Sequence, residues 1–120
     1  MADVTIFHNP ACSKSRGALA ILDDLGVEAE VVRYLGTPPD RGTLVRILDA
    51  IGGDPAALVR TGDARFAEAG FTRSDLATRD GVIAVLLAEP RLLERPVVLV
   101  GERGVIGRPP ELVRSLFEPS

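Results

Sequence analysis

Two strand patterns flank one helical stripe within roughly the first 35 residues, the size of a parallel crossover unit. This feature restricts the fold of the chain more than any other. Val4 to Phe7 is short, apolar and partly β-branched, and His8-Asn9-Pro10 stops it. Ala18, Leu19, Ile21, Leu22 and Leu25 then contain the i, i+3, i+4, i+7 spacing of one helix face. Gly26 follows where a helix C′ residue belongs, and Glu30 to Tyr34 returns to strand character. The opening therefore predicts two parallel strands joined by a helix.

Downstream, Thr37-Pro38-Pro39-Asp40 breaks the chain and offers Asp40 as a helix N-cap. Leu44, Ile47, Leu48 and Ile51 form the next apolar stripe, closed by Gly52-Gly53. From about Asp54 to Leu93 no strand pattern is present. Short helical pieces are punctuated by Gly62, Gly70 and Gly81, and a last run from Val82 to Ala88 ends at Pro90. Val97 to Val100 reads as a strand, Gly101 to Gly104 as a turn, and Val105-Ile106 as the returning arm of a hairpin. Pro109-Pro110 starts a final helix with Leu112, Val113, Leu116 and Phe117 on its apolar side. This order suits an α/β protein: a thioredoxin-like mixed sheet with helices on both faces and a central helical insertion. Periodicity alone does not separate it from other small α/β folds. With no internal repeat or linker, one domain over residues 1–120 is expected.

Composition narrows the chemistry. Hydrophobic residues make up 46% and charged residues 26%, values of an ordinary globular chain. Cys12 is the single cysteine and His8 the single histidine, which excludes an internal disulfide framework and a multi-cysteine zinc site. Any metal site would have to be mainly carboxylate, and none is expected. A net charge of −3 argues against a nucleic-acid partner bound through a basic face. No apolar run approaches the ~20 residues that span a bilayer, and MADVTIFHNP lacks the features of a signal peptide. No membrane partner and a reduced, cytoplasmic location are therefore expected.

Cys12 falls in the turn His8-Asn9-Pro10-Ala11-Cys12-Ser13-Lys14-Ser15-Arg16, between the first strand and the first helix. A thiol at a helix N-terminus faces unpaired N–H groups and the positive end of the macrodipole, and both favour thiolate. Lys14, Arg16 and His8 are candidates for further positive charge. An ordinary thiol of pKa ~8.5 is only about 3% thiolate at pH 7, so even a modest depression multiplies the reactive form. A free cysteine is often just a small buried hydrophobe, but the polar neighbours and the strand-to-helix turn favour a reactive one. Its spacing excludes two chemistries. A C-x-x-C redox pair would need cysteine at Ser15, and a Cys-x5-Arg phosphatase loop would need arginine at Ala18. Any redox cycle must take its second thiol from outside the chain.

The segment HNPACSKSR after an N-terminal strand resembles the active-site loop of the glutaredoxin-coupled arsenate reductase family. Ala57-Leu58-Val59-Arg60 resembles the family's segment carrying its first anion-binding arginine. Glu94-Arg95-Pro96-Val97-Val98 resembles its Arg-Pro approach to a strand, and Gly107-Arg108-Pro109 its last arginine. The resemblance implies that Cys12 is the nucleophile and that Arg60, Arg95 and Arg108 bind arsenate and its adducts. It also implies that Pro96 is the cis-proline facing the active cysteine. Guanidinium forks suit a tetrahedral oxyanion better than ammonium groups do, and three of them would also depress the thiol pKa. His8 either tunes that pKa or simply ends the strand; Asn9, Ser13 and Ser15 either donate to the anion or cap the helix.

The implied activity is reduction of arsenate to arsenite, with glutathione as co-substrate, glutaredoxin as protein partner and no bound cofactor. Two relatives of the same fold set the alternatives. One is a thiol reductase acting on glutathione conjugates. The other is a transcriptional regulator that binds RNA polymerase, often through a C-x-x-C switch that Ser15 removes here. The best-known reductases carry a longer C-terminal tail than the stretch after Arg108-Pro109, and the helix from about Pro110 is expected to close the fold without it.

Overall fold

A computed structural model describes residues 4–118. Its sheet has four strands: β1 (Val4–Phe7), β2 (Glu30–Val32), β3 (Val97–Val100) and β4 (Arg103–Ile106), in the order β2-β1-β3-β4. β1 and β2 run parallel, with Ile6 opposite Val31, as the crossover spacing requires. β1 pairs antiparallel with β3, and β3 with β4, so the sheet is mixed. This is the thioredoxin-like arrangement expected from the sequence. Helix α1 (Ser13–Asp24) makes the crossover and ends at Leu25, followed by Gly26 at φ +70°. Helices α2 (Arg41–Ile51), α3 (Ala64–Glu68) and α4 (Arg79–Ala88) supply the central helical region.

Alternation along the strands divides the core in two. Val4 and Ile6 of β1 and Val98 of β3 pack with Ala18 and Leu22 of α1 and with Val113 and Leu116 of the C-terminal segment. Phe7, Val97 and Leu99 face the other way, into a larger cluster with Leu44, Ile47, Leu58, Val82, Ile83 and Leu92. The sheet is therefore covered on both faces, which holds the C-terminal ends of β1 and β2 and the start of β3 together at one edge of the molecule.

Four details differ from the sequence reading. β2 stops at Val32, because Arg33 opens a turn whose carbonyl accepts from the Gly36 and Thr37 N–H groups at 3.0 Å. Gly104 lies inside β4 rather than in the turn, with the turn itself at Gly101-Glu102. The C-terminal helix Pro110–Phe117 is a 3₁₀ helix, whose tighter winding still buries Val113 and Leu116. Lastly, the stretch without strand pattern contains one antiparallel bridge, Val59 to Leu93. Its backbone bonds, Arg60 N–H to the Leu92 carbonyl and Glu94 N–H to the Leu58 carbonyl, are both 2.8 Å.

Helix α4 buttresses that bridge and begins at a very tight contact. Thr78 caps it through the Gly81 N–H at 3.0 Å, and a Cβ added at Gly81 would lie 2.0 Å from the Asp75 carbonyl oxygen. Since backbone must move to admit it, Gly81→Ala should cost more than about 2 kcal/mol. Urea unfolding would register this as a lower midpoint with an unchanged slope; an unchanged midpoint would contradict the packing.

Candidate active site

Cys12 is the N-cap of α1, in extended backbone, and makes no capping hydrogen bond through its side chain. The loop that presents it is stitched from within. Asn9 Oδ1 accepts the Ala11 N–H at 3.0 Å, the Cys12 N–H donates to the Asn9 carbonyl at 2.9 Å, and Arg16 donates to the Pro10 carbonyl at 2.9 Å. Arg16 is therefore a strut of the loop. Beneath it, Ser15 Oγ accepts the Asn9 N–H at 3.0 Å and bonds His8 Nδ1 at 2.8 Å, with both side chains buried.

Burial pushes the Cys12 thiol up, but the Ser15 N–H, the Arg95 guanidinium and the Lys14 N–H together outweigh it and hold the thiol below its ordinary value. His8 moves the other way from a charge donor. Burial, with the nearby charges of Arg33 and Arg16, depresses its pKa against the opposing effect of Ser15, which favours the neutral ring. Its part in the geometry is to fix Ser15. Ser15→Ala would leave a buried ring nitrogen and the Asn9 N–H without partners, at a cost of about 1–3 kcal/mol. The pH dependence of Cys12 alkylation should keep its midpoint, because the Ser15 group acting on the thiol is its backbone N–H. A large midpoint shift would contradict this division of roles.

Three arginines reach the same place from different parts of the chain. Arg108 follows β4 and is anchored where the Gly107 N–H meets the Pro96 carbonyl at 2.8 Å. Its Nη1 donates to the Arg95 carbonyl at 3.0 Å and stands 4.0 Å from Cys12 Sγ. Arg95 precedes Pro96 across a cis peptide bond, and Arg108-Pro109 is cis as well. Arg60 leaves the Val59–Leu93 bridge beside Glu94. The Glu94 Oε1 atom lies 3.6 Å from Arg60 Nε, 3.6 Å from Arg108 Nε, and accepts the Arg95 N–H at 3.2 Å. The two Nε atoms are thus no further apart than twice that shared distance. Asp63 takes a second part of the Arg60 charge, at 3.2 Å. Arg95 has no ion pair among the described residues, and its guanidinium is among the groups that hold the Cys12 thiol down.

Sequence reasoning missed two groups here. Glu94 was visible beside Arg95-Pro96, but nothing in the sequence aligned it with Arg60. Tyr34, wholly buried after β2, keeps its hydroxyl without a hydrogen-bond partner, and so does the buried Nε of Arg95. Burial raises the Tyr34 pKa against the opposing influence of Arg95, Asn9 and Arg60. No cluster of three or more metal-ligating side chains exists among the described residues. No helix among them is long and apolar enough to cross a membrane.

A mixed sheet of this topology, with one cysteine at a helix N-terminus and guanidiniums clustered beside it, defines a protein of the thioredoxin-like class. The ArsC family model matches residues 7–116, and the chain belongs to that family. It is 39% identical over 118 residues to an arsenate reductase of Neisseria meningitidis (98% of this chain, 100% of the relative). It is 42% identical over 114 residues to the uncharacterized protein YfgD of Escherichia coli (94% and 95%). Among solved structures it is similar to an arsenate reductase from Vibrio cholerae, with a TM-score of 0.85, 34% identity and coverage of 95% and 97%.

Proposed function

We propose that this chain is an arsenate reductase working through Cys12 as a single thiol, with glutathione and glutaredoxin as external reductants. The observation that supports this best is the arginine cluster beside the one cysteine: Arg108 Nη1 stands 4.0 Å from the sulfur, the Arg95 guanidinium acts on the thiol, and Arg60 joins Arg108 through their shared Glu94 oxygen. A tetrahedral oxyanion fits paired guanidiniums, and the same cations stabilise charge as it builds up on the anion.

In this reading Cys12 thiolate attacks arsenic, an S–As bond forms, and one As–O bond breaks, its oxygen leaving as water after protonation. Arsenic is still in the +5 state. Glutathione thiolate then attacks Cys12 Sγ, and the electron pair of the S–As bond stays on arsenic, which departs as arsenite in the +3 state. Cys12 and glutathione, one thiol each, have supplied the two electrons and are left as a mixed disulfide. The glutaredoxin thiolate attacks the glutathione sulfur and releases Cys12. The chain has no second cysteine that could perform this step.

The test is arsenate-dependent NADPH oxidation in a mixture of this protein, glutathione, glutathione reductase and glutaredoxin. Turnover should require every component and should stop when glutaredoxin is left out. Absence of arsenate-dependent oxidation in the complete mixture would refute the reductase assignment; undiminished turnover without glutaredoxin would refute the proposed electron route.

A further inference from the structure

Glu94 occupies an unusual position in a site that is read as binding an anion. One carboxylate oxygen is shared between Arg60 Nε and Arg108 Nε, 3.6 Å from each, and is held by the Arg95 N–H at 3.2 Å. The side chains of Arg60, Arg108 and Glu94 are 27%, 33% and 21% exposed, so the cluster opens to solvent. The backbone at Glu94 is fixed by the Val59–Leu93 bridge and by its 2.8 Å bond to the Leu58 carbonyl. Arg108 is fixed likewise through Gly107 and through its donation to the Arg95 carbonyl. The two cations and the glutamate backbone cannot move apart easily, whereas the carboxylate can swing out through side-chain rotation alone.

We propose that Glu94 is a resident anion, filling the position between Arg60 and Arg108 until a substrate oxyanion displaces its carboxylate. This rests on the anion-binding reading of the three arginines. A doubly charged tetrahedral anion offers two oxygens to two guanidiniums and outcompetes a single carboxylate oxygen held at 3.6 Å, which is longer than a charge-assisted hydrogen bond. A weaker or singly charged anion gains less from the exchange. Glu94 thus lowers affinity for every anion by the same displacement cost, so that only anions that bind the paired guanidiniums strongly fill the site at ordinary concentrations.

The experiment uses inorganic sulfate, which binds without reacting, and follows its protection of Cys12 from iodoacetamide. Glu94→Gln keeps the volume and removes the competing charge, so sulfate should protect it at roughly five- to tenfold lower concentration than the wild type. Glu94→Ala should shift in the same direction and serves if the glutamine variant does not fold. The KM for arsenate should fall with a smaller change in kcat. Equal or weaker sulfate protection in both variants would overturn the proposal and make Glu94 a residue that aligns the arginines. Failure of sulfate to protect any of the proteins would overturn it too, since no anion position would exist. A wild type that is protected by sulfate yet never reduces arsenate would remove the reductase reading while leaving the displaced carboxylate in place.

Discussion

Cys12→Ser should abolish arsenate-dependent turnover, by a factor on the order of 10³ or more, and should leave the protein as stable as before or more stable. Both parts follow from one position. In the proposed reaction the thiolate is the nucleophile, and a serine hydroxyl is not ionised at neutral pH by two backbone N–H groups and a neighbouring guanidinium. At the same time Cys12 is a helix N-cap whose side chain makes no capping hydrogen bond. Serine is among the best N-cap residues, so its Oγ should accept from the Lys14 or Ser15 N–H and raise stability by up to about 1 kcal/mol. Thermal unfolding and the coupled assay together read the outcome. Loss of activity with a raised or equal Tm agrees with the geometry. Loss of activity with a marked fall in Tm would mean that Cys12 is a packing residue and that inactivity reports damage to the fold.

The second large effect is expected at Arg95. Its guanidinium is the one side chain among the causes that depress the Cys12 pKa, and no acidic partner among the described residues shares its charge. Arg95→Ala removes that stabilisation of the thiolate, so the folded-state pKa of Cys12 rises toward its ordinary value. The sign is fixed by this direction: the rate of iodoacetamide alkylation at pH 7 falls, and its pH profile moves to higher pH. Turnover should fall by about 10²-fold or more, since the proposed oxyanion donor is lost along with part of the thiolate. Arg95→Lys should restore much of the pH profile and little of the turnover, because an ammonium group carries the charge without the planar fork. If alkylation in Arg95→Ala kept the wild-type profile, the thiolate would be stabilised by the helix N-terminus and Arg108 without Arg95.

The cysteine turn could be read from the sequence because it sits at an element boundary that punctuation residues mark, whereas Arg60, Arg95 and Arg108 stood out only through the resemblance of their segments to family motifs. His8-Asn9-Pro10 ends β1, Cys12 begins α1, and Arg108 precedes the Pro109-Pro110 pair that opens the last helix. The fold followed from the same signals. The β1-α1-β2 spacing, the Asp40 cap that accepts from the Thr43 N–H at 2.8 Å, and the Gly26 C′ position all reappear in the structure. What could not be read was pairing across long sequence distance. Val59 and Leu93 form a bridge of a single residue pair, too short to leave an alternating pattern, yet it sets Arg60 beside Glu94. The electrostatic role of His8 also depended on tertiary burial. A histidine next to a reactive cysteine reads as a source of positive charge, whereas burial and two neighbouring arginines depress the pKa of this one.

In the proposed reaction one cysteine and one glutathione together supply the two electrons that arsenic takes up. The direct measurement is a single turnover with stoichiometric arsenate and glutathione, without glutaredoxin, read by intact-protein mass and by arsenite release. One glutathionyl group should appear on Cys12 for each arsenite released, and only when arsenate is present. Arsenite release with Cys12 left unmodified, or glutathionylation equally fast without arsenate, would contradict it.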